Sequence, residues 1–247
     1  MLSSLSMMAQ QREDVGDDSK LKALKSEKNV KLREQKIKVM ENGTDEDLML
    51  LIQYYDKNAA KKEALTKTLQ KKYPQSQNAR MMRMMSFLKL KGIPEMEIHL
   101  QSLIKAYPNL NLDMEKSLLS SAYAEVPDAT KVLQHINSMK DPVFKVRGLI
   151  MAIELMAAIN NTAALDLATG ELEEAKKIKA MTGLSQPLKL DPKSTYDDYI
   201  NIYGKLLFNA GKVDEAYKYT SEAYNSIKNR DSELIENYAF LSSLNGK

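Results

Sequence analysis

The chain has 247 residues, with 36 Lys and Arg against 33 Asp and Glu, and a formal net charge of +3. That balance argues against a nucleic-acid partner, which selects a clustered basic excess, and reads as a generally solvated surface. No cysteine is present, which excludes disulfides, thiolate metal sites and thiol chemistry. No tryptophan and only four Phe leave few broad faces for stacking sugars or bases, and no apolar run approaches the roughly eighteen residues of a membrane span.

Residues 1–19 read as a leader. Met1 to Ala9 is apolar and rich in small residues, then gives way to Gln11-Arg-Glu-Asp, like the end of a secretory signal with Ala9 at the cleavage site. The basic start is missing and Met7 is larger than that site wants, so a disordered leader is the alternative. The signal reading implies a periplasmic or otherwise exported protein, and the other leaves it cytoplasmic.

Residues 20–182 read as a leading helix followed by helical hairpins. Asp17-Asp18-Ser19 supplies caps for one helix from about Lys20 to Met40, with a thin apolar stripe, stopped by Asn42-Gly43. Thr44-Asp-Glu-Asp47 resembles a capping box and opens the next helix. Hairpins follow at 44–57 with 59–73, 77–91 with 94–107, and 112–125 with 127–139. Pro74, Pro108 and Pro142 recur every 34 residues, and Leu69–Lys71–Tyr73–Pro74 is repeated as Leu103–Lys105–Tyr107–Pro108. Proline there prevents a helix from running on, while Pro94 and Pro127 take early helical positions, where a missing N–H costs nothing. Val143 to Ile159 is apolar enough to be covered on most sides, and its partner spans about Ala163 to Ala180.

Between Pro142 and Pro192 the interval is 50 residues, and the surplus is assigned to an irregular connection at 183–194, the internal joint of this reading. Residues 195–247 then form one more hairpin and an incomplete terminal repeat. Ile200, Tyr203-Gly204, Leu207, Ala216 and Ala223 resemble the small and large positions of a tetratricopeptide repeat, with Thr220 where an aromatic is usual. Asp231 opens a last helix whose Tyr238, Leu241 and Leu244 share one face. If that face is uncovered, the chain self-associates through residues 232–245. The fold class implied is all-α, a right-handed stack of about five and a half antiparallel helical hairpins, a tetratricopeptide-like solenoid.

Candidate chemistry is sparse. His99 and His135 lack a second histidine at the helical spacing of a zinc pair, so ordinary interhelical or surface histidines are expected, with no metal and no cofactor. No nucleophile elbow or phosphate loop occurs, and the chain reads as a non-enzyme. Met81, Met84, Met85 and Leu88 fall on one helical face, expected in the core rather than as a flexible peptide-binding surface. Arg80 and Arg83 share another edge. They are the candidate partner-binding residues, able to meet a peptide carboxylate bidentately, and otherwise form an exposed solubilising pair.

The segment Tyr55-Asp-Lys-Asn-Ala-Ala-Lys-Lys-Glu-Ala-Leu through Lys71-Lys-Tyr-Pro-Gln-Ser, with the hairpins after it, resembles the helical region that precedes the thioredoxin domain in exported Bacteroidota thioredoxin-like proteins. The likeness covers roughly residues 44–245. It implies an accessory module, because the family's Cys-x-x-Cys has no counterpart here. The function expected is therefore a non-catalytic scaffold for a protein or peptide partner, with no nucleic acid and no membrane span. The alternatives are the helical part of a redox protein whose catalytic domain is absent here, and a glycan-handling helical-repeat lipoprotein, which the missing Trp and Cys count against.

Overall fold

A computed structural model describes residues 18–185 and 189–246, and the leader reading of residues 1–17 lies outside them. Thirteen α-helices and no strand occur among the described residues, so the class is all-α. A lone antiparallel bridge pairs Ser185 with Leu190 inside the connection expected at 183–194, whose last residues, from Pro192, are already helical. The chain divides into two compact units at Leu88–Lys89.

The first unit holds α1 (Asp18–Ser26), α2 (Val30–Glu41), α3 (Asp45–Tyr54), α4 (Ala59–Lys72) and α5 (Gln77–Phe87). The single leading helix expected from Lys20 to Met40 is two helices. Asn29 interrupts it by accepting a hydrogen bond from the Leu32 amide at 3.2 Å, while the Glu27 carboxylate accepts from the Asn29 amide at 3.0 Å. Short polar side chains that bond nearby amides favour caps over helix interiors. The Thr44–Asp47 capping box is present, and Lys20 adds a 2.7 Å ion pair to Asp47 that ties α1 to α3. Tyr73, at the end of α4, donates to the Gly43 carbonyl at 2.6 Å, and Asn78 of α5 reaches Asp45 at 3.1 Å. Leu48, Leu51, Leu65 and Leu69 are central to this unit's core, which Leu21 and Leu24 of α1 complete.

The second unit holds α6 (Ile93–Ala106), α7 (Asp113–Ala124), α8 (Ala129–Asn137), α9 (Pro142–Ala157), α10 (Asn161–Ile178), α11 (Pro192–Asn209), α12 (Val213–Ser226) and α13 (Ser232–Leu244). Pro142 and Pro192 sit at the first helical position behind Asp141 and Asp191, whose carboxylates accept amide bonds from Phe144 and Ser194. Pro127 precedes the cap Asp128 rather than entering α8. Helices α7, α9 and α11 each pack on the helix before and the helix after, and α13 packs on α12. In addition, α9 rests on both α7 and α11, which is why it is buried on nearly every side. Asp113 fastens the start of α7 to the α8–α9 turn. Its buried carboxylate accepts from the Lys140 amide at 3.0 and 3.1 Å and from the Asp141 amide at 3.0 Å.

Two expected faces are corrected. In α5 the buried row is Ala79, Arg83 and Phe87, whereas Met81, Met85 and Leu88 are exposed. In α13 the face with Tyr238 and Leu241 is covered. Leu241 is 1% exposed, and Tyr238 stacks on Tyr224 of α12 with ring centroids 4.0 Å apart. The exposed apolar side chains of α13 are Ile235, Phe240 and Leu244.

Candidate interaction surface

Arg80 and Arg83 do not form a solvent-facing pair. Arg83 is 1% exposed and its Nη1 donates to the Pro74 carbonyl at 2.7 Å, bracing the turn before α5. Arg80 donates from Nε and Nη2 to the Gln75 carbonyl, at 3.1 and 2.6 Å. Both side chains therefore serve the entry to their own helix. A guanidinium is suited to this, because its planar fork satisfies carbonyls that the turn leaves free.

A continuous outward face instead joins α9, α11 and α13. In each helix, residues seven apart lie two turns along the same side. Arg147 and Glu154 do so on α9, Asp198 and Lys205 on α11, and Glu233 and Phe240 on α13. Contacts between helices confirm that these rows are neighbours. Arg147 pairs with Asp198 at 3.4 Å and Lys205 with Glu233 at 2.7 Å, and Phe208 meets Phe240 edge to face with centroids 5.6 Å apart. Met151, Ile202 and Phe208 are half-buried between the charges, and Phe240 is 53% exposed.

The Asp198 side chain is 52% exposed, yet crowding by protein removes enough water to raise its pKa, and the nearby Asp197 adds to the rise against the pull of Arg147. Glu154 is raised by the same desolvation, which outweighs attraction to Arg147 and Lys205. It forms no ion pair among the described residues. A carboxylate that is accessible but poorly hydrated gains from an arriving cation more than one in open water does. The arrangement thus offers an aromatic edge, exposed apolar surface and under-neutralised carboxylates side by side.

A second polar group is internally satisfied. The Glu97 carboxylate on α6 accepts from Tyr123 OH of α7 at 2.8 Å and lies 3.3 Å from His135 Nε2 of α8, while the Tyr123 and His135 rings stack at 5.6 Å. Burial lowers the pKa of His135 despite Glu97, with Lys131 and Lys116 adding to the shift. Burial and the bond to Glu97 push Tyr123 up to about 12. The neutral imidazole donating to Glu97 fits these directions, so the group works as an interhelical clasp. In the first unit an open recess is lined by Lys25, Gln53, Tyr54, Asp56 and Lys57, where Asp56 is already paired with Lys62 at 2.7 Å.

Among the described residues no three His, Asp or Glu are grouped to hold a metal ion, and no helix is long and apolar enough to cross a membrane. Comparison with protein-family models, curated proteins and solved structures finds no match to this chain. Sequence reasoning passed over the α9–α11–α13 face, although its signal was present. The pairs Arg147–Glu154, Asp198–Lys205 and Glu233–Phe240 repeat the same seven-residue step on α9, α11 and α13.

Proposed function

We propose that this chain is a non-catalytic helical-repeat scaffold that docks a protein or peptide partner on the open face of α9, α11 and α13. In this reading the second unit is a tetratricopeptide-like stack, with α7–α8, α9–α10 and α11–α12 as hairpins and α13 as a further first helix. The close approach of Gly204 to α12, where an added Cβ would lie 2.6 Å from Thr220 Oγ1, supports that assignment. The observation that carries the function is the face itself. Three first helices are linked side by side through Arg147–Asp198 and Lys205–Glu233, while Glu154 and Phe240 are left to an incoming chain. Grooves of this kind receive an extended or helical peptide, with apolar anchors giving affinity and charges giving register.

The test is selection of peptides from a displayed random library on the whole chain, followed by titration against Phe240→Ala and Lys205→Glu. Selected peptides should lose at least about tenfold in affinity on both variants, as the loss of a central anchor or a register charge does. Peptides that bind both variants as well as the parent would place recognition elsewhere and sink this reading.

A further inference from the structure

Charge is segregated along this chain. Residues 18–88 carry 16 Lys and Arg against 9 Asp and Glu, a net +7, whereas residues 89–246 carry 18 against 21, a net −3. In the first unit, one helix concentrates the excess on an outward stripe. Lys31, Leu32, Gln35, Lys38 and Val39 of α2 are all exposed and follow a three- and four-residue spacing, with Lys28 just before the helix in line with them. Val39 is 72% exposed. Neither Lys31 nor Lys38 is in an ion pair among the described residues, in contrast to Lys36, which pairs with Glu27 at 2.8 Å on the inward side. Glu34 and Glu41 lie along one rim of the stripe.

The open face of the second unit has the opposite character. Glu154, Asp198, Glu233 and Glu236 outnumber Arg147 and Lys205, around the Phe208–Phe240 pair and Leu244. We infer that the occupant of this face is a second copy of the same chain, whose α2 lays its basic, apolar stripe against the acidic, aromatic surface of α9, α11 and α13. Leu32 and Val39 supply the apolar anchors that Phe240 and Leu244 lack, and Lys31 and Lys38 supply cations for Glu154 and Glu236. The rims agree as well, since Glu34 and Glu41 match the minority cations Arg147 and Lys205. From Lys31 to Val39 the stripe is about 12 Å long, within the width of about 20 Å that three adjacent helices offer. The two surfaces differ, so the contact is head-to-tail: each copy offers both a donor and an acceptor surface, and association continues past the dimer unless a ring closes. This inference rests on the proposed docking role of the open face and names its partner.

Sedimentation of the whole chain over a concentration series, at low and high salt, tests it with two charge-reversed variants. One is Lys31→Glu with Lys38→Glu, and the other is Glu154→Lys with Glu233→Lys. All four positions are exposed, so helical circular dichroism should be unchanged. The parent should associate, less so in high salt, and each variant alone should associate about tenfold more weakly. An equimolar mixture of the two variants should regain association, because each then meets a surface of opposite charge. A parent that stays monomeric throughout, variants that associate as the parent does, or a mixture that fails to recover would each overturn the inference. The scaffold reading is judged separately. Library-selected peptides that still depend on Phe240 and Lys205 would leave it standing while self-docking falls.

Discussion

Gly204 separates close helix packing from ordinary helix propensity, because the same substitution elsewhere in the unit has the opposite sign. An ideal Cβ at Gly204 would lie 2.6 Å from Thr220 Oγ1 and 3.2 Å from the Thr220 amide nitrogen, both on α12. The hydroxyl can rotate away. The amide cannot, so α12 must shift by a few tenths of an ångström. Alanine gains about 1 kcal/mol over glycine in a helix interior, while overpacking costs about 1–3 kcal/mol. Gly204→Ala should therefore destabilise by about 1 kcal/mol, and Gly204→Leu by more. Gly170 of α10 has nothing within 4 Å of its added Cβ, so Gly170→Ala should stabilise by about 0.5–1 kcal/mol. Urea unfolding with an unchanged slope reads both. In a Thr220→Ala background the loss at Gly204 should shrink, leaving only the contact with the amide. If Gly204→Ala stabilises as much as Gly170→Ala does, α11 and α12 do not meet where this structure places them.

Three further outcomes follow from buried or crowded charges. Asp113→Ala leaves the Lys140 and Asp141 amides without their acceptor and should cost about 2–3 kcal/mol in urea melts, with an unchanged midpoint counting against the tie. Burial lowers the His135 pKa, so the fold prefers the neutral ring. Its contribution is complete above about pH 6.5 and is lost as pH falls from there toward the folded value, a slope that His135→Gln should flatten. Glu97, whose own pKa is lowered, loses its contribution only further down, as pH falls below about 4.3. Glu154 is shifted the other way, so its ionised form opposes folding at neutral pH. Glu154→Gln should raise the melting temperature at pH 7 by an amount that disappears below about pH 4.3; a gain that persists at pH 3 would assign the effect to something other than ionisation.

The element order was legible wherever a local rule has a single solution. Thr44–Asp47 and Asp231 each offer an amide-capping oxygen at a fixed offset and open a helix as read, whereas Asp141-Pro142 and Asp191-Pro192, read as a helix stop and as part of a connection, offer the same oxygen and open helices too. Faces were harder. In α5 the residues Met81, Met84, Met85 and Leu88 compete with Ala79, Met82, Arg83 and Phe87, and both sets recur at helical spacing. Pattern reading puts arginine outside, and here arginine is inside, held by the Pro74 carbonyl. In α13 periodicity placed Tyr238, Leu241 and Leu244 together, but Tyr238 stacks on Tyr217 and Tyr224 of α12 and Leu241 is buried, while Leu244 is exposed.

The open face was missed for a related reason, since composition sums what geometry separates. A net charge of +3 on 247 residues suggests a mixed, uninformative surface, and that is how the sequence reads when it is averaged. Divided at Leu88, the chain carries excesses of opposite sign, and Lys31 and Lys38 of α2 then stand out as cations in no ion pair among the described residues, whereas Lys36 is paired with Glu27. The carboxylates of α9, α11 and α13 need a further step. Glu154 and Asp198 are 44 residues apart and draw together only once α11 lies against α9. Their raised pKa values come from that packing, because crowding removes water that neither segment would lose alone. The face shared by α9, α11 and α13 is therefore chemically different from the helices that build it, and its preference for a cation follows from the fold rather than from any one stretch of sequence.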